Sequence, residues 1–67
     1  MVEVDARGLS CPEPIMLTAE ALKGANGPIK VLVSEPVQKE NVIKYAKSQG
    51  KKATSSEIGD EFEVVIE

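Results

Sequence analysis

One thiol is the only strong nucleophile in this sequence. Cys11 is its sole cysteine, and no histidine accompanies it. Paired chemistry is therefore closed off. A single Cys forms no internal disulfide and no CxxC redox couple, and without His there is no Cys/His zinc spacing, no Ser-His-Asp or Cys-His arrangement and no imidazole base. What remains is chemistry on Cys11 or on carboxylates. Cys11 stands in Ser10-Cys11-Pro12-Glu13-Pro14, a segment that reads as a helix start with Cys11 at the N-cap and Pro12 at the first helical position. The first N–H groups of a helix lack intrahelical partners and that end of the dipole is positive, so an anion is stabilised there and a thiol pKa falls. Pro12 and Pro14 fix φ and bring no N–H of their own, which leaves the Glu13 N–H among the few donors facing the sulfur. Arg7, four residues upstream across Gly8, adds positive charge, while the Glu13 side chain carries the opposite sign.

A second reading of each residue stands beside the first. A free Cys is among the most frequently buried residue types and commonly packs as a small hydrophobe, but a loop-to-helix junction flanked by Ser10 and Pro12 favours exposure. Asp5 and Arg7 shape a binding pocket beside Cys11, or serve only as a turn-capping carboxylate and a solvated strand-end cation. Gly8 serves backbone geometry. Lys39, Lys44, Lys47, Lys51 and Lys52 form a solvated helix face or steer an acidic protein partner. Glu61, Glu63 and Glu67 repeat on one strand face, where edge protection or solubility explains them better than paired-carboxylate catalysis.

The elements that must position Cys11 follow from periodicity. Val2 and Val4 alternate with Glu3 and Asp5 as a half-buried strand, and Arg7-Gly8-Leu9-Ser10 interrupts it. Residues 12 to 23 read as a helix on the spacing of Ile15, Thr18, Ala19 and Leu22, ending at Gly24. Asn26-Gly27-Pro28 is turn chemistry. Ile29, Val31 and Val33 alternate with Lys30 and Leu32 as a strand whose partly apolar second face suits a central position. A second helix starts at Glu35-Pro36, carries Val42, Ile43, Tyr45 and Ala46 on one side, and stops at Gly50. Lys44 and Lys47 complement its dipole. Ala53-Thr54-Ser55-Ser56 and the alternation of Phe62, Val64 and Ile66 form a hairpin about Gly59-Asp60. The order β-α-β-α-β-β, with right-handed crossovers, puts both helices on one side of the sheet.

A chain of 67 residues and 7.2 kDa, 42% hydrophobic, is one domain, 1–67, with an aliphatic core. Domains this small bury roughly 60% of their unfolded surface. The net charge of −3 argues against a dedicated nucleic-acid binder, although it divides into −2 over residues 1–35, +4 over 36–52 and −5 over 53–67. The basic segment lacks the interleaved aromatics of a single-strand binder. No apolar run approaches the roughly 20 residues of a membrane helix and the N-terminus has no export pattern, so a reducing, cytoplasmic setting without membrane association is expected.

The run Asp5-Ala6-Arg7-Gly8-Leu9-Ser10-Cys11-Pro12-Glu13-Pro14 resembles the D-x-x-G-x-x-C-P-x-P signature of the TusA/SirA/YedF family of small sulfur-carrier proteins. The resemblance extends over essentially the whole chain. Glu40-Asn41-Val42, Tyr45-Ala46 and Gly50 are most similar to the YedF-like branch linked to selenium metabolism. The resemblance implies an α+β fold, a two-layer α/β sandwich with a mixed four-stranded sheet and two helices on one face. It implies that Cys11 accepts sulfane sulfur as a persulfide and passes it on, with Pro12 and Pro14 as the structural prolines of the motif and no cofactor or metal. Its implied partners are a cysteine desulfurase or other sulfur-donor protein and an acceptor sulfur-relay protein, as in the relay supplying tRNA thiolation, with no direct nucleic-acid contact. The competing readings are a non-catalytic interaction or regulatory module and a selenium carrier.

Overall fold

The computed structural model describes residues 2–10, 12–24 and 27–67. The elements are β1 (Val2–Asp5), α1 (Glu13–Gly24), β2 (Ile29–Val33), α2 (Pro36–Ser48), β3 (Ala53–Ile58) and β4 (Glu61–Ile66). They follow the predicted order, with α1 displaced by one residue from the range read in the sequence. Strand order in the sheet is β1-β2-β4-β3. β1 and β2 are parallel, with Val4 beside Val31, and β4 runs antiparallel to both β2 and β3. The β2-α2-β3 crossover therefore leaves a gap one strand wide, and the C-terminal strand fills it.

Alternation along the strands divides the sheet into two faces. The face under the helices carries Ile29, Val31, Val33, Val64 and Ile66, all essentially inaccessible, with Val4 and Phe62 partly buried around them. Val42 and Ala46 of α2 close the core from above, joined by Leu17, Ala21 and Leu22 of α1. On α1 the deepest positions are Pro14 and Thr18. Thr18 returns its buried hydroxyl to the Pro14 carbonyl at 2.8 Å, so a polar side chain sits in the core without an unpaired donor. Pro14 is thus a core residue as well as a first-turn proline, a role its place in the motif did not suggest.

The uncovered face is charged and internally paired. Lys30 of β2 lies between Glu3 of β1 at 3.8 Å and Glu63 of β4 at 3.6 Å. Of the two readings of Glu61 and Glu63, edge protection or solubility, this corrects the first. β4 is an interior strand, and its carboxylates answer cations on neighbouring strands and loops. Lys39, read within a basic cluster, instead lies over the Phe62 ring at 5.0 Å from its centroid.

Helix α2 ends as its sequence requires. Gly50 takes φ +75°, its N–H donates to the Lys47 carbonyl at 3.0 Å, and the Lys51 N–H donates to the Ala46 carbonyl at 3.0 Å. This double closure satisfies two of the terminal carbonyls and needs a residue free to adopt a left-handed conformation. At the other end Glu35 is the N-cap and Pro36 the first helical residue. Because β1 and β2 are parallel, α1 and α2 both begin at the same end of the sheet, the end where β4 starts and β3 finishes.

Candidate functional site

Cys11 itself lies outside the described residues, and the site is built from what surrounds it in the chain. Beyond β1, the Ala6 N–H continues the parallel ladder onto the Leu32 carbonyl at 2.8 Å, and the Leu9 N–H closes a turn on the Ala6 carbonyl at 3.3 Å. Gly8 occupies φ +78° within that turn, and its N–H donates to the Ser34 hydroxyl at 2.8 Å. The loop after β1 is thereby tied to the loop after β2. Ala6 is fully buried and Leu9 packs against the core on one side of the cysteine, and Pro14 is buried on the other. Between these anchors Ser10, Pro12 and Glu13 are exposed.

The helix start differs from expectation in two respects. Glu13 is the first helical residue, so Pro12 stands at the cap position, its carbonyl accepting the Met16 N–H at 3.0 Å. The Glu13 N–H, expected to face the sulfur, donates to the Ser10 carbonyl at 2.9 Å. Pro14 has no N–H. Across residues 13–16 the helix start therefore offers an anion at most one backbone donor, that of Ile15.

Asp5 and Arg7 are also engaged with each other rather than left open. Asp5 Oδ1 accepts the Arg7 backbone N–H at 3.2 Å and its Nε at 2.9 Å, and Oδ2 accepts Nη2 at 2.9 Å. Arg7 Nη1 reaches Glu61 Oε1 of β4 at 3.2 Å. The hydrogen bonds from Arg7, side chain first and then backbone, hold the Asp5 carboxyl down at about 2. The same contacts push the guanidinium further above its ordinary range. Arg7 thus bridges β1 and β4 across the end of β2, with its charge matched by two carboxylates. As a source of positive potential for Cys11 it is largely spent. This geometry combines the turn-capping role of Asp5 with a strand-end clamp.

The sequence reading missed Gln38. It sits in the first turn of α2 on the stripe that continues through Val42 and Ala46. It is only 4% exposed, and its Oε1 is buried without a hydrogen-bond partner among the described residues. The signal was its i, i+4, i+8 spacing, passed over because the residue is polar. Ser34, which holds Gly8, carried no such signal.

The model of the sulfurtransferase TusA family matches residues 2–67. The chain belongs to the TusA sulfurtransferase family. The crystal structure of a SirA-like protein from Desulfitobacterium hafniense superposes on this TusA-family chain with a TM-score of 0.92 at 28% identity, covering 98% of this chain and 95% of that one. No curated protein matches the sequence. The family match is to TusA as a whole and does not separate the YedF-like branch. Membership brings sulfur-relay partners in general. Among the described residues no helix is long and apolar enough to cross a membrane.

Proposed function

We propose that this TusA-family chain is a cytoplasmic sulfur carrier whose Cys11 is transiently persulfidated. The observation that carries the reading is the match of the family over residues 2–67, which includes the chain's single thiol in the run Cys11-Pro12-Glu13-Pro14. In the loading step the Cys11 thiolate attacks the terminal sulfur of a donor protein's persulfide. A sulfur–sulfur bond forms on Cys11, the donor's own sulfur–sulfur bond breaks, and the donor leaves as a thiolate. In unloading, an acceptor thiolate attacks the same terminal sulfur and Cys11 is the leaving group. Each step exchanges one sulfur–sulfur bond for another, so neither needs an external oxidant, reductant or cofactor. With no second cysteine in the chain, the carried sulfur is not expelled by an internal disulfide.

The substrates in this reading are sulfurs held by other proteins: a cysteine desulfurase or similar donor, and an acceptor of the relay. The surface supports protein docking. Met16 on α1 and Val37 on α2 are 59% and 57% exposed near the two helix starts, and Ile58 at the end of β3 is 50% exposed. Incubation with a cysteine desulfurase and cysteine, followed by intact-mass measurement, tests the proposal. Wild type gains one sulfur atom and Cys11→Ser gains none, whereas no gain with several donors removes the carrier role.

A further inference from the structure

The two edges of the sheet differ in what they expose. In the order β1-β2-β4-β3 the edges are β1 and β3, and an edge strand presents unpaired N–H and C=O groups to any chain able to pair with it. β1 is only 4 residues long and carries Glu3 and Asp5. β3 is 6 residues long, Ala53-Thr54-Ser55-Ser56-Glu57-Ile58. Its register against β4 runs unbroken from the Ala53–Ile66 pair to the Ile58–Glu61 pair. No bulge, proline or lysine within the strand blunts this edge.

The hydrogen-bond alternation identifies the free groups. Lys52 and Glu67 exchange both backbone bonds, at 3.0 and 2.8 Å, and in an antiparallel ladder such pairs recur at every second residue. Thr54, Ser56 and Ile58 therefore turn their N–H and C=O groups toward β4, while Ala53, Ser55 and Glu57 turn theirs outward. Lys51 ends the run, because its N–H is taken by the Ala46 carbonyl at the close of α2. Among the described residues no strand pairs with the outward side.

Symmetry selects one register for a pair of such strands. Opposite residues of an antiparallel pair share a face of the sheet, so two copies of β3 about a two-fold axis normal to the sheet match odd residues with odd and even with even. Setting Ser55 opposite Ser55 and Ala53 opposite Glu57 uses every outward group. A slip either way spoils this: Glu57 then faces Lys51, whose N–H is already bonded, or Ala53 faces Gly59 beyond the strand.

The side chains agree with that register. Thr54 comes opposite Ser56, and Lys52 opposite Ile58, whose half-exposed side chain the lysine stem covers. Lys51 reaches Glu57 of the second copy diagonally, on the face that carries the helices. The segment is basic at its start, Lys51-Lys52, and acidic at its end, Glu57 and Asp60. Among the described residues none of these four is in an ion pair, and antiparallel pairing sets each charged end beside its opposite. The same operation on β1 sets acidic side chains against one another, which is unfavourable.

We propose that β3 is a self-association edge, through which two copies of this chain pair antiparallel about Ser55 and join their sheets into one, with all the helices on one face. The pairing is independent of the sulfur chemistry.

Sedimentation equilibrium over a range of concentrations tests this on wild type, Lys51→Glu, Glu57→Lys and Ser55→Pro, with circular dichroism to show that each is folded. The wild-type mass should climb from 7.2 kDa toward twice that value as concentration rises. Each charge reversal turns two symmetric contacts repulsive and should weaken association about tenfold. Lys51→Glu and Glu57→Lys chains mixed in equal amounts are again complementary and should associate as wild type does. Ser55→Pro removes an outward N–H but none of the bonds to β4, so it should stay folded and monomeric. A wild type that remains at 7.2 kDa at every concentration, or a folded Ser55→Pro that still dimerises, would overturn the proposal. If Ser55→Pro does not fold, the mixture decides: association no stronger than that of either charge variant alone would overturn it.

Discussion

Replacing Gly8 with alanine tests how the loop that bears Cys11 is held. At φ +78° an L-residue incurs about 1–2 kcal/mol of steric strain. Among the described residues a Cβ built there meets nothing within 4 Å, so no clash with them adds to that cost. The smaller conformational freedom of alanine in the unfolded chain offsets about 0.4–1 kcal/mol, leaving a net loss of about 1 kcal/mol. For a domain of this size that is a fall of about 4–8 °C in melting temperature. Gly50 is the control. Its φ of +75° and open surroundings predict a comparable loss for Gly50→Ala, but it closes α2 at the opposite end of the molecule. Relief of the strain at position 8 withdraws its N–H from Ser34 Oγ and loosens the loop, so sulfur loading slows in Gly8→Ala and stays at the wild-type rate in Gly50→Ala. Melts and polysulfide loading rates on the three proteins decide the matter. A Gly8→Ala protein as stable as wild type would refute the strain argument, and equal loading by both variants would refute the positioning argument.

Asp5 gives a pH-dependent outcome of fixed sign. Its carboxyl sits at about 2 when folded against an ordinary value of 3.8, so its stabilising contribution is complete above about pH 4 and is lost as pH falls toward 2. In urea melts at pH 4 and pH 2, Asp5→Asn should lose less stability across that interval than wild type; equal losses would mean that the Arg7 contact carries no linkage. Gly24 ends α1 outside the left-handed region and, among the described residues, with open space for a Cβ. Gly24→Ala should therefore gain about 0.5–1 kcal/mol, read as a higher urea midpoint, and a loss there would contradict its helical backbone.

Where backbone periodicity and turn chemistry determine an element, the sequence was enough. Val2 to Asp5, Ile29 to Val33 and Phe62 to Ile66 alternate because one face of the sheet meets the helices, and Pro36 and Gly50 bound α2 by what their backbones permit. The central place of β2 also followed from its partly apolar second face. Long-range partners were not legible in this way. Nothing local in Glu61 or Glu63 says that β4 inserts between β2 and β3, and without that insertion their carboxylates read as solvent-facing edge charges rather than partners of Arg7 and Lys30. The site was read to the same depth. The motif located Cys11, Pro12 and Pro14, but the Ser10 carbonyl that takes the Glu13 N–H and the Ser34 hydroxyl that takes the Gly8 N–H belong to tertiary geometry. Gln38 is not legible because a polar residue on a helix is ordinarily assigned to solvent, and only the packed structure shows it buried, its oxygen unpaired among the described residues.

The carrier account rests on one sulfur being held by one residue. Loading with radiolabelled cysteine and a desulfurase, followed by gel filtration and treatment with a thiol reductant, measures that directly. The account predicts one labelled sulfur per chain, released completely by the reductant and absent from Cys11→Ser. Label retained by Cys11→Ser, or none acquired by wild type, would contradict it.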